Sequence, residues 1–280
     1  MIPAEFDYIA PESLEEAIRH LDESGEDAKA LAGGHSLLPL MKLRLAAPTL
    51  LVDLRRIPGL HGIEADGEVR IGAMTPHALL EDTPELGLLS KVAGTIADRQ
   101  VRHRGTIGGS LVHGDPASDL PAVLLATEGS VVARGRSGER TIAAGDLFVD
   151  YLTTSVQPGE IVTEVRFPSE QGWGYGHQKF NRRREDWAMV GVCALVRAND
   201  GVCEDVRIGL TNMGSTPLRA RAAEEALRGQ PLDAERIAAA AEQAPEGTDP
   251  PGDLNATPDY KRHLARVLVR RALGEAAGVA

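Results

Sequence analysis

The sequence predicts an α+β protein in which two N-terminal lobes, residues 1–56 and 57–170, precede a C-terminal domain of a sheet and helices at 171–280. Three observations predict this order. Helix and strand patterns alternate over the first 56 residues, the pattern changes beyond residue 57, and a glycine-rich stretch at 171–176 marks a boundary before two apolar strand segments. A chain of 280 residues is long enough for a sizeable core and more than one domain.

The first lobe has the pattern of a compact strand–helix–strand unit. Ser13 and Glu16 form a capping-box pattern that predicts a helix start, with apolar residues on one face after it. A strand at 28–32, a helix at 37–45 and a short buried strand at 50–54 come next. This run predicts a βαβ-type unit with a glycine pair, Gly33 and Gly34, directly after a strand.

The second lobe and the C-terminal domain mix strands with helices. Strands are predicted at 68–73, 131–134 and 161–167, and helices at 84–97, at 119–127 and after Thr75-Pro76, where proline suits a first helical turn. The stretch at 171–176 is predicted as a loop, because its glycine spacing does not fit a dinucleotide fingerprint. Strands at 190–197 and 205–210 come after it, and the last helix has a basic face, Lys261 included, that is predicted to be solvated.

Composition limits the classes of function. The formal net charge of −11 argues against general nucleic-acid binding, which needs a basic footprint. The N-terminus lacks the basic and apolar regions of a secretory signal, and the longest apolar run, 188–196, is too short to cross a bilayer. We therefore expect a cytoplasmic protein without a membrane span. Cys193 and Cys203 are predicted to be small buried hydrophobes, and two thiols are too few to ligate an iron–sulfur cluster.

Two short glycine loops carry the clearest functional signal. Glycine lets a ligand approach the main chain without a Cβ in the way, and successive free N–H groups form a concave anion site. One such turn is weak evidence for a binding site, because tight turns often contain glycine pairs. Two of them predict that the loops bind the two phosphates of one dinucleotide. Arg102 and Arg104, just before the second loop, are interpreted as surface arginines, with shielding of phosphate charge or contact with a partner subunit as the alternatives. The loops are Ala32-Gly33-Gly34-His35-Ser36 and Thr106-Ile107-Gly108-Gly109-Ser110.

With the segments around them, the loops resemble the FAD-binding medium subunits of molybdenum-containing carbon monoxide dehydrogenases. These belong to the wider xanthine oxidase family, whose flavin domain is of the vanillyl-alcohol-oxidase type. The resemblance implies a two-lobed flavin domain followed by a C-terminal flavoprotein domain. One departure is Ser110, where the family commonly carries the longer Asn. The matching segments span essentially the whole chain and lie at 1–8, 31–42, 71–75, 105–109, 114–122, 157–160, 208–212 and 260–272.

The resemblance also implies which residues bind FAD, and it implies no catalytic side chain and no metal ligand. Main-chain N–H groups of both loops would hold the diphosphate, Asp119 would contact the sugar and adenosine side, and Lys179 would lie on the flavin side. Ile161 would line the cofactor, and Trp187 would stack on its ring or gate it. From the residues alone, Asp119 is also an ordinary acid of a first helical turn, Lys179 a solvent-exposed strand lysine, and Ile161 and Trp187 core residues. The predicted set is Ala32, Gly33, Gly34, His35, Ser36, Leu37, Thr106, Ile107, Gly108, Gly109, Ser110, Asp119, Ile161, Lys179 and Trp187.

The function implied by the resemblance is that of the electron-transfer subunit of a molybdenum hydroxylase, foremost a carbon monoxide dehydrogenase. A large subunit with the molybdenum cofactor would oxidise the substrate, and a small subunit with two [2Fe–2S] clusters would pass electrons to FAD in this chain. A quinone or another acceptor would take them from FAD. A dimer of heterotrimers is implied, in the cytoplasm or peripherally at the inner face of its membrane. Aldehydes, purines and N-heterocycles are the alternative substrates.

Two alternatives come from other functional classes. A metal-dependent hydrolase would use His35, His113, Asp115 and Asp119, although their spacing fits no metal-binding motif. A non-enzymatic assembly protein with a vestigial flavin fold would carry the same segments without a cofactor, but both loops are intact. The cofactor content of the purified protein distinguishes the three hypotheses.

Overall fold

The computed structural model describes residues 2–279 as three successive groups of elements, built around three apolar clusters. The first group forms a small parallel sheet in the order β1-β3-β2, against which α1 packs its apolar face. The Ser13 hydroxyl accepts the N–H of Glu16 at 3.2 Å, but the Glu16 carboxylate accepts the N–H of Glu12, so the predicted capping box is half formed. The elements are β1 (Asp7–Ile9), α1 (Leu14–Ser24), β2 (Ala28–Leu31), α2 (Leu37–Leu43) and β3 (Leu50–Asp53).

The second group is an antiparallel five-stranded sheet, in the order β4-β5-β10-β6-β7, with short helices on it. The predicted helix at 84–97 is interrupted, because Gly87 adopts a φ of +55° and α4 starts only after it. The elements are β4 (Ile63–Asp66), β5 (Glu68–Gly72), α3 (His77–Glu81), α4 (Leu88–Ala93), α5 (Arg99–Arg102), α6 (Ile107–His113), α7 (Asp119–Thr127), β6 (Ser130–Gly135), β7 (Gly138–Ala143), α8 (Ala144–Leu147), β8 (Phe148–Asp150), β9 (Thr153–Thr154) and β10 (Ile161–Phe167).

The third group is an antiparallel sheet in the order β11-β12-β13-β14 with helices on both sides. One face of β12, with Cys193 and Leu195, joins the apolar cluster of the second group, where α7 packs on it. The opposite face, with Val192 and Ala194, belongs to the cluster that contains the last helix. The elements are β11 (Gly174–Phe180), β12 (Val190–Asn199), β13 (Val202–Thr211), β14 (Leu218–Arg219), α9 (Arg221–Leu227), α10 (Ala234–Glu242) and α11 (Pro258–Ala277).

Two sequence-based expectations for this third group are wrong. The glycine-rich stretch at 171–176 is not all loop, because Gly174 and Gly176 begin β11. A Cβ at either position would overlap a carbonyl oxygen of α11, so these glycines allow the strand and the helix to come close. Lys261 is fully buried rather than solvated, and its ammonium lies 2.8 Å from the Asp253 carboxylate.

Within residues 2–279, no helix has the length and apolar character needed to span a membrane.

Candidate cofactor-binding site

A cavity of about 480 Å³ lies between the first glycine loop, α6, α7 and the end of β11. Its volume falls in the range of ordinary small-molecule pockets, roughly 300–1,000 Å³. Every residue of the predicted set except Ile107 lines this cavity. Ile107 is fully buried in the apolar cluster of the second group instead. The fold therefore brings together side chains and loops that are up to 155 residues apart in the sequence, Ala32 and Trp187 being the extremes (187 − 32).

The first glycine loop leaves its main-chain donors free. It connects β2 to α2, and Gly34 turns the chain with a φ of +78°, in the left-handed region that favours glycine. Among the described residues, no acceptor lies within hydrogen-bond distance of the N–H groups at 33–37. These residues line the cavity. A run of partnerless N–H groups facing a cavity is the donor set that an anionic group such as a phosphate needs.

The second glycine pair is not a loop, and its donors are engaged. It forms the first turn of α6, with Thr106 as the capping residue. Each N–H of residues 107–110 already has a protein acceptor, so these main-chain donors are used within the protein. The bonds are Ile107 to the Thr75 carbonyl at 3.1 Å, Gly108 to the Ala73 carbonyl at 2.8 Å, Gly109 to the Thr106 hydroxyl at 3.2 Å and Ser110 to the Thr106 carbonyl at 3.0 Å.

The two glycine pairs converge because each allows a close main-chain approach. A Cβ on Gly33 would overlap the carbonyl oxygen of Arg104, just before the second pair. A Cβ on Gly108 would lie 2.6 Å from the Cβ of Ala73, closer than side-chain carbons pack. Gly33 and Gly108 are therefore required for packing of the protein against itself, whereas the sequence suggested that they make room for a ligand.

Asp119 and Lys179 form a buried ion pair in the cavity wall. The Lys179 ammonium lies 2.8 Å from the Asp119 carboxylate and donates a second hydrogen bond to the Thr95 carbonyl at 3.1 Å. Burial raises the pKa of Asp119, and the Lys179 charge opposes that rise. Lys179 is therefore not the solvent-exposed lysine of the simpler interpretation. The pair joins α7 to β11 in the cavity wall, and the two charges are in contact.

Trp187 and Ile161 differ in exposure. Trp187 lies in the segment between β11 and β12, and 58% of it is exposed at the edge of the cavity, so it is not a core tryptophan. Ile161, the first residue of β10, is buried and belongs to the apolar cluster of the first group while it also lines the cavity. An exposed indole beside a cavity is free to pack on a ligand ring.

Several features of the site are missed by sequence reasoning. Arg102 is buried, not a surface residue: it pairs with Glu81 at 2.7 Å and donates to the carbonyls of Ile96 and Ala97. It thereby holds a segment that lines the cavity. His77 also lines the cavity and is 4% exposed. No local motif marks His77, since its position depends on contacts with residues far along the chain.

The residues of the hydrolase alternative are not assembled into a metal site. Among residues 2–279, no three His, Cys, Asp or Glu side chains are grouped so that they could hold a metal ion. Asp119 is engaged by Lys179, and the Asp115 carboxylate accepts the N–H of Ala117 at 2.8 Å. Both cysteines are buried, and burial raises the pKa of each thiol, as expected for inert core residues.

Comparison with known proteins gives full-length similarities. The family described as "FAD binding domain in molybdopterin dehydrogenase" matches residues 4–170, and "CO dehydrogenase flavoprotein C-terminal domain" matches 176–276. The carbon monoxide dehydrogenase medium chain of Hydrogenophaga pseudoflava is 43% identical over 99% of this chain and 98% of its own length. The 6-hydroxypseudooxynicotine dehydrogenase complex subunit alpha of Paenarthrobacter nicotinovorans is 41% identical over 99% and 96%. A solved carbon monoxide dehydrogenase from Hydrogenophaga pseudoflava superposes with a TM-score of 0.97 at 44% identity, covering all of both chains.

Proposed function

The chain belongs to the family of FAD-binding subunits of molybdopterin-containing dehydrogenases, and on that premise we propose that the cavity between the first glycine loop and β11 holds its FAD. The observation that carries the proposal is the run of partnerless N–H groups at 33–37, which line this cavity. A diphosphate would satisfy donors that are otherwise left without acceptors.

The remaining residues of the site have distinct parts in this proposal. The Ser36 and Ser110 hydroxyls lie at the cavity and can donate to phosphate or ribose oxygens. Asp119 and Lys179 present one carboxylate and one ammonium to the same part of the cofactor. Trp187 lines the cavity with much of its surface exposed, so its indole would pack on the flavin ring. Bound FAD accepts electrons singly and releases them singly or in pairs, while the protein supplies position and electrostatics.

The proposed electron path runs through two partner subunits before it reaches this chain. A large subunit with the molybdenum cofactor oxidises the substrate, and a small subunit with two [2Fe–2S] clusters delivers the electrons to the FAD of this chain. The chain has two cysteines, both buried, so the clusters would belong to the partner. We propose that the two lobes and the C-terminal domain of this chain meet at residues 56 and 170. We also propose that the complex is a dimer of heterotrimers.

Carbon monoxide is the substrate that we propose for the assembled enzyme. It is the substrate in the name of the 43% identical relative and of the solved structure with a TM-score of 0.97. The 41% identical relative is named for 6-hydroxypseudooxynicotine, which makes a nicotine-derived heterocycle the second candidate. We propose a quinone as the acceptor, which would bring a cytoplasmic enzyme to the inner face of the membrane.

Purification of the assembled complex tests these proposals in order. We expect one FAD for each copy of this chain and reduction of a dye when carbon monoxide is added. Reduction with 6-hydroxypseudooxynicotine but not with carbon monoxide would replace the proposed substrate. A complex in which this chain carries no flavin would refute the site itself. Electron transfer to a water-soluble quinone tests the acceptor, and the chain alone should oxidise neither substrate.

A further inference from the structure

His77 is a buried side chain for which the protein provides no hydrogen-bond partner. It follows Pro76 as the first residue of α3, and its main-chain N–H donates to the Gly105 carbonyl at 3.0 Å. His77 is one of the residues that line the cavity. Gly105 also lies against Gly33, since a Cβ on Gly33 would be 2.8 Å from the Gly105 Cα. In space, only Gly105 therefore lies between His77 and the first glycine loop.

The two ring nitrogens of His77 have different surroundings. An atom at the Cβ position of Gly105 would lie 2.8 Å from Cδ2 and 3.0 Å from Nε2, so this edge of the ring packs on the Gly105 main chain. Nδ1 is sealed from solvent and has no partner among the described residues. Nε2 also has no protein partner, but it is not sealed. A neutral imidazole carries one proton, and the sealed Nδ1 stays without a partner whether or not it carries that proton, whereas an N–H on Nε2 can reach the acceptor of a ligand. We therefore assign the proton to Nε2.

The protonation state of His77 suits a hydrogen-bond donor and not a proton acceptor. Burial, together with the smaller effects of His35 and Arg102, lowers the pKa of His77 to about 4. The ring is neutral at pH 7, with one N–H to donate. Arg102 itself is engaged by Glu81 and by two carbonyl groups, so it offers no competing hydrogen bond to the ring.

The second glycine pair lacks the free donors that the first loop has. Its N–H groups at 107–110 are used inside the protein, so a diphosphate that reaches this side of the cavity needs donors from elsewhere. We propose that His77 is a further cofactor-binding residue, whose Nε2–H donates a hydrogen bond to the FAD diphosphate beside the second glycine pair. The inference rests on the proposed function, because it requires FAD in this cavity.

Two polar substitutions test the role of Nε2 in the full chain after removal of FAD. His77→Gln places an amide near the position of Nε2, whereas His77→Asn reaches only to the position of Nδ1. We expect His77→Asn to weaken binding of FAD and of ADP, which carries the diphosphate without flavin, by about 10- to 100-fold. His77→Gln should stay within about threefold of the unmodified chain. Binding of riboflavin, which has no phosphate, should be the same in all three proteins.

A matched control uses the second buried histidine with a strongly lowered pKa. His177 is 8% exposed, its pKa is also lowered to about 4 by burial, and it does not line the cavity. His177→Asn should bind FAD and ADP as the unmodified chain does. Equal FAD affinity in His77→Asn and His77→Gln would overturn the inference, as would an equal loss for riboflavin. An unmodified chain that binds neither FAD nor ADP would instead overturn the proposed function.

Discussion

The two glycine pairs resemble each other in sequence and differ in structure. At 33–37 the main-chain N–H groups have no acceptor among the described residues, whereas at 107–110 every N–H is bonded within the protein. The difference arises from the neighbouring segments, because the carbonyls of Ala73 and Thr75 accept the N–H groups of Gly108 and Ile107. No carbonyl of the described residues accepts the N–H groups at 33–37. The donors of a glycine pair are therefore open to a ligand only where no neighbouring acceptor takes them.

The same contrast separates the donors that the protein leaves open from the polar groups that it satisfies itself. The Asp119–Lys179 pair belongs to the second kind, because both charges are buried and in contact. Groups of this kind contribute to stability without a ligand. Variants at the two kinds of position should therefore separate effects on folding from effects on FAD affinity.

The largest effect is expected at the buried ion pair. Lys179→Met leaves the Asp119 carboxylate buried without its partner, so the free energy of unfolding should fall by about 3–5 kcal/mol. Arg70 and Glu64 form an ion pair of similar length, 2.9 Å, on the surface. Arg70→Met should lower the free energy of unfolding by less than about 1 kcal/mol. Urea unfolding without FAD measures both variants. If the double variant Asp119→Asn/Lys179→Met is as unstable as Lys179→Met, the loss does not come from an uncompensated charge.

Substitutions at the glycines compare the pairs directly. Gly33→Ala and Gly108→Ala each place a Cβ against the main chain of another segment, so both should lower the free energy of unfolding by about 1–3 kcal/mol. Gly33→Ala also displaces the free N–H groups and should lose FAD on purification. Gly108→Ala should keep a larger share of bound FAD, because the N–H groups at 107–110 are already bonded within the protein.

Gly145 provides the control for these variants. A Cβ there would meet nothing within 4 Å, and its φ lies outside the left-handed region. Gly145→Ala should leave the flavin content unchanged and raise the free energy of unfolding by no more than about 1 kcal/mol, because Gly145 is an exposed residue of α8. If Gly108→Ala loses as much flavin as Gly33→Ala although it is the more stable of the two variants, the proposed difference between the two glycine pairs is wrong.

Most elements could be predicted from the sequence, since hydrophobic periodicity and capping residues mark helices and strands locally. The features that could not be predicted depend on contacts between distant segments. Gly174 and Gly176 have to be glycines because Ala276 and Ala272 of α11 approach their main chain. Lys261 is buried because Asp253 supplies its counter-ion. The residues at the cavity are implied by the family resemblance, but the hydrogen bonds that distinguish the two glycine pairs appear only in three dimensions.

The buried histidines predict how stability depends on pH. Burial lowers the pKa of His77 and His177 to about 4, against an ordinary value of 6.5 for the unfolded chain. Above pH 6.5 both states are neutral, and below it the unfolded state binds the proton first, so stability is lost as the pH falls from 6.5 towards 4. Each histidine should contribute a loss of about 2 kcal/mol between pH 7 and pH 5. Urea unfolding of His177→Gln should show a smaller pH dependence by that amount, and an unchanged slope would contradict the shift.

The smallest effects are expected at the two hydroxyl residues, where the contrast between the pairs is most direct. The Thr106 hydroxyl caps the N–H of Gly109 at 3.2 Å, whereas the Ser36 hydroxyl has no partner within residues 2–279. Thr106→Ala should therefore lower the free energy of unfolding without FAD by about 1 kcal/mol. Ser36→Ala should leave that free energy unchanged and weaken FAD binding by about tenfold, because its hydroxyl stabilises no part of the protein and can donate to a phosphate oxygen. The opposite result, with stability lost in Ser36→Ala and affinity lost in Thr106→Ala, would mean that the second pair binds the cofactor and the first one packs.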